Sequence, residues 1–208
     1  MTLPELKMTF HTSDQTIETL EIDAHGDLYL ELKTTRLLVS SKVLSLASSF
    51  FARMLRSQFK EGLSNYQGLE TPSVALPEDD EALVTLLCQI IFFRCDLGPQ
   101  KASSDDLYGM AKLCDKYDCV GALRPWALSH METPSKNMYE VNYAKELLVI
   151  SYTFDMPDTF SKVSWGLILR YDTQLQKLAG LLQDDLLPDN LMGENPLSYT
   201  IQALTYYS

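Results

Sequence analysis

Basic residues are scarce. The 208-residue chain carries 17 Lys and Arg against 28 Asp and Glu, a formal net charge of −11, with no Lys/Arg cluster. Holding a nucleic-acid backbone relies on grouped cations that release counterions, so nucleic acid is not an expected partner. The same sign disfavours docking on an anionic membrane. Long apolar runs are missing too. The longest, Ala82 to Phe93, is broken by Thr85 and Gln89 and is too short to span a bilayer. The opening Met-Thr-Leu-Pro-Glu has no basic start followed by an apolar stretch, so no secretory signal is read there.

Metal and redox chemistry are equally short of material. The four cysteines, Cys88, Cys95, Cys114 and Cys119, include no Cys-x-x-Cys pair, and His11, His25 and His130 lie far off in sequence. A zinc site would want closer spacing. Free thiols, buried or half-buried, are expected instead, in a reducing intracellular compartment, nucleus or cytoplasm. There is no Gly-rich phosphate loop, no Gly-x-Ser-x-Gly and no His-Glu-x-x-His, so no catalytic residue, cofactor or metal is assigned. The one enzyme alternative left is an unrecognised site in the C-terminal helices.

What is present reads as a folded chain. A hydrophobic fraction of 46% with 10% aromatics can fill a core and argues against disorder. After a leader over 1–19, in which Met8 and Phe10 hint at a short strand, His25-Gly26-Asp27 reads as a turn. Leu28, Leu30 and Leu32 then share one strand face. Ile22 is placed in an earlier strand, forming a hairpin. Leu37 to Val39 is a second strand. The period then changes: Val43, Leu44, Ala47, Phe50, Phe51, Met54 and Leu55 recur at three and four, predicting one core helix capped by the Ser40-Ser41 pair. Gly62 stops it. Ser73 to Leu76 is a short strand closed by Pro77. Glu78, Asp79, Asp80 and Glu81 all read as first-turn acids of the next helix, which carries Leu83, Leu86, Leu87, Ile90 and Ile91 and ends near Arg94 to Asp96. Ser103 and Asp106 form a capping box for a helix with Leu107, Met110, Ala111, Cys114 and Tyr117 inside. Val120 to Met131 is another helix. Beyond Thr133-Pro134, helices are predicted over Met138 to Tyr152 and Ser161 to Leu182, separated by an Asp155-Met156-Pro157-Asp158 breaker. An acidic tail follows, with a last helix at Leu197 to Leu204.

The segment from Leu37 resembles the signature of the BTB/POZ domain, Phe-x-x-His-Lys-x-x-Leu-x-x-x-Ser-x-x-Phe, at Leu37, Ser40, Ser41, Leu44, Ser48 and Phe51. Ser-Ser stands where that family has His-Lys. Leu113-Cys114-Asp115-Lys116-Tyr117, followed by Ala122-Leu123 and Trp126-Ala127, is similar to the late helices of BTB domains in many fungal proteins. The resemblance implies an α+β fold, a small mixed sheet packed on a cluster of helices over 20–132, followed by an all-helical extension over 133–208. It further implies non-catalytic protein–protein interaction: a homodimer, acting as adaptor or scaffold. The dimer interface is expected at Val43, Leu46, Ala47, Phe50 and Met54, with an N-terminal strand able to cross to the partner. Phe59 and Glu61 stand where cullin-recruiting members carry an apolar-x-Glu motif, so a cullin-type ubiquitin-ligase adaptor is the alternative. Asp27, Ser40 and Ser41 occupy the positions of a charged pocket in repressor-type members.

Overall fold

The computed structural model describes residues 17–62, 71–94, 102–131, 141–171 and 184–187. Those residues form a mixed α+β structure with one four-stranded sheet and seven helices. The strands are β1 (Glu18–Glu21), β2 (Leu28–Glu31), β3 (Thr35–Val39) and β4 (Ser73–Ala75). The helices are α1 (Ser41–Ala47), α2 (Ser49–Gly62), α3 (Glu81–Ile91), α4 (Ser104–Tyr117), α5 (Val120–His130), α6 (Val141–Thr153) and α7 (Pro157–Tyr171). Two compact units result. The first combines Met1–Gln100 with Tyr117–Leu123, and the second Lys101–Lys116 with Arg124–Ser208.

In the first unit the strand order is β1-β3-β2-β4. β2 and β3 are antiparallel, setting Leu28 opposite Val39 and Leu30 opposite Leu37. All four side chains are buried, as a period-two pattern requires. The predicted hairpin at Ile22 does not form: β1 ends at Glu21 and runs parallel to β3. The amides of Ile22 and Asp23 both donate to the Leu38 carbonyl, at 3.1 and 3.0 Å. The turn that follows lies close on β3. A Cβ on Gly26 would sit 2.7 Å from Leu38 Cγ and 2.8 Å from the Val39 carbonyl oxygen. Only glycine fits there.

The stretch read as one helix is two. Ser48 is extended (φ −139°, ψ 121°) and separates α1 from α2. Its hydroxyl accepts from the Phe51 amide at 3.0 Å and donates to the Tyr117 carbonyl, so it caps the start of α2 while holding the end of α4. Phe51 stacks on Tyr117, with ring centroids 5.0 Å apart and planes 18° apart. α3 is buried all round from Leu86 to Ile91 and stops sooner than expected. The Phe93 amide bonds the Ile90 carbonyl and the Arg94 amide the Gln89 carbonyl, with Phe93 left-handed at φ 57°. This is a Schellman stop with phenylalanine where glycine is usual.

In the second unit the capping box forms: the Ser103 hydroxyl accepts from the Asp106 amide, and its own amide donates to the Asp106 carboxylate at 2.9 Å. α6 ends in another Schellman stop, with Asp155 at φ 52° and the Met156 amide bonded to the Ser151 carbonyl. Pro157, read as part of a breaker, instead opens α7, four residues ahead of the predicted start. A proline loses nothing at a helix's first position, where its missing N–H has no partner to find. Arg124 clamps this corner, donating to the carbonyls of Phe154 and Asp155 at 2.9 Å each. The part of the predicted Ser161–Leu182 helix beyond Tyr171 and the suggested last helix lie outside the described residues, as do Met8 and Phe10.

Candidate functional site

α1 and α2 split their apolar residues into two sets. Leu44, Phe51 and Leu55 are buried. The five residues expected at a dimer interface are not: Val43, Ala47, Phe50 and Met54 are half-buried, and Leu46 is 80% exposed. Their spacing of three and four residues places them along one stripe, although the chain breaks at Ser48 between them. Phe50 is partly engaged at home, meeting Phe51 and Tyr117 edge-on at 5.6 and 5.4 Å. β1, from the segment expected to be able to cross to a partner, pairs with β3 of its own chain.

Asp27, Ser40 and Ser41 do come together. The Asp27 carboxylate accepts from the Ser41 amide at 2.6 Å and from its hydroxyl at 2.7 Å, and Ser40 Oγ accepts from the Val43 amide. Asp27 is exposed. Ser41 therefore supplies both donors to this carboxylate while Ser40 caps α1, and the cluster ties the residue before β2 to the start of α1. Phe59 and Glu61 both fall in the last turn of α2; their side chains lie outside the described residues.

Of the four acids read as helix-start charges, Glu78 is exposed ahead of α3 and the other three have separate partners. Asp80 is the N-cap of α3, its carboxylate accepting from the Leu83 amide at 3.0 Å. Glu81 accepts from the Thr34 hydroxyl at 2.9 Å. Asp79 is different: it is 7% exposed and accepts a short hydrogen bond from the Tyr117 hydroxyl, itself buried. Burial, and then the Asp79 carboxylate, push the Tyr117 phenol well above the usual tyrosine range. Sequence reasoning missed this pair. Its one signal was surplus: a helix start uses one cap, so four consecutive acids leave some in search of other partners. Nearby, burial with Cys119 alongside pushes the Cys88 thiol up to about 12. Cys88, Cys114 and Cys119 are all buried, which makes them poor nucleophiles.

The second unit holds a cavity of about 330 Å3. Ala102, Leu107, Met131, Leu147 and Ile150 give it apolar walls, and Ser103, Ser104, His130 and Tyr143 add polar groups. Most of those are spoken for. Ser103 caps α4, Ser104 donates to Glu146 at 3.0 Å, and His130 Nδ1 lies 2.9 Å from the Trp126 carbonyl oxygen with its ring stacked on Trp126. Among the described lining residues there is no carboxylate beside His130. Among the described residues no group of three His, Cys, Asp or Glu is placed to hold a metal ion, and no helix is long and apolar enough to cross a membrane. Neither models of known protein families nor curated proteins give a match to this chain.

Proposed function

We propose that the chain is a BTB/POZ-type, non-catalytic protein-interaction module that pairs with a second copy and serves as an adaptor or scaffold. Three features support the reading. Two strands feed the α1–α2 pair, a strand precedes the long apolar α3, and the tyrosine of the Asp-Lys-Tyr helix stacks on the signature phenylalanine. The observation that carries the self-association is Leu46, 80% exposed beside half-buried Val43, Ala47 and Met54. An apolar stripe on the outer side of helices whose inner side already fills a core is the kind of patch that a symmetric partner covers.

Size-exclusion chromatography with light scattering tests it. The wild-type chain is expected to elute as a dimer at tens of micromolar, and Leu46→Glu as a folded monomer, because Leu46 contributes almost nothing to the core. A wild-type chain that is a clean monomer at that concentration overturns the proposal.

A further inference from the structure

We draw no further inference here: the strongest candidate, the cavity of the second unit lined by Leu107, His130, Tyr143, Leu147 and Ile150, runs at Ala102 and Met131 into residues outside the described ones, and nothing in the structure shows what fills it.

Discussion

Removing one oxygen at Tyr117 tests the core of the first unit. Tyr117→Phe keeps the ring that stacks on Phe51 at 5.0 Å and deletes only the hydroxyl that donates to Asp79. Because the acceptor is a carboxylate at 7% exposure, the lost bond is of the charge-assisted, buried kind, costing about 1.5–3 kcal/mol. For a chain of this size that corresponds to a fall in Tm of roughly 3–12 °C. The pH dependence supplies a second reading. The folded pKa of Tyr117 lies above its unfolded value of 10.0, so the folded state holds the proton more tightly. Its contribution is complete below pH 10 and is lost as pH rises further. Cys88 acts in the same direction, from 9.0 towards about 12. Urea denaturation followed by circular dichroism from pH 7 to 11 is expected to show wild-type stability falling above about pH 9. In Tyr117→Phe the loss above pH 10 is expected to be shallower, with the Cys88 share remaining. A variant as stable as wild type at pH 7, with the same alkaline profile, would refute the pairing of Asp79 with Tyr117.

Two glycines give opposite expectations from one substitution. Gly26→Ala forces a methyl to within 2.7 Å of Leu38 Cγ and 2.9 Å of the Val39 amide nitrogen, and is expected to cost about 1–3 kcal/mol in urea denaturation. Gly121→Ala, in helix α5 with nothing within 4 Å of the new methyl, is expected to gain about 0.5–1 kcal/mol. Phe93→Gly relieves a left-handed phenylalanine that is 89% exposed, so little burial is lost; a stabilisation of about 1 kcal/mol is expected by the same measurement.

The elements were largely legible because local chemistry encodes them. Alternating leucines at 28, 30 and 32 can bury one side only as a strand, and Ser103 with Asp106 caps a helix wherever the chain goes. β1 was not legible: its four residues are exposed or half-exposed, so it carries no alternating pattern, and its parallel pairing with β3 is a matter of sheet topology. The break at Ser48 was hidden for a similar reason. The residues on both sides keep a helical period, and the serine leaves it only because the Tyr117 carbonyl and the Phe51 amide are there to bond it.

The stripe Val43, Leu46, Ala47, Phe50, Met54 could be named from spacing, but spacing cannot say which apolar residues a fold consumes. Packing decided that Phe51 and Leu55 go inside and that Leu46 stays out. Likewise Asp79 and Tyr117 are 38 residues apart, and Tyr108 and Asp184 are 76 apart. By itself, then, the sequence determined periodicities, caps and the mixed α+β class, since these depend on neighbours within a turn or two. Which acid meets which tyrosine, and which surfaces remain open to a partner, depended on contacts between distant segments, and only the tertiary structure supplies those.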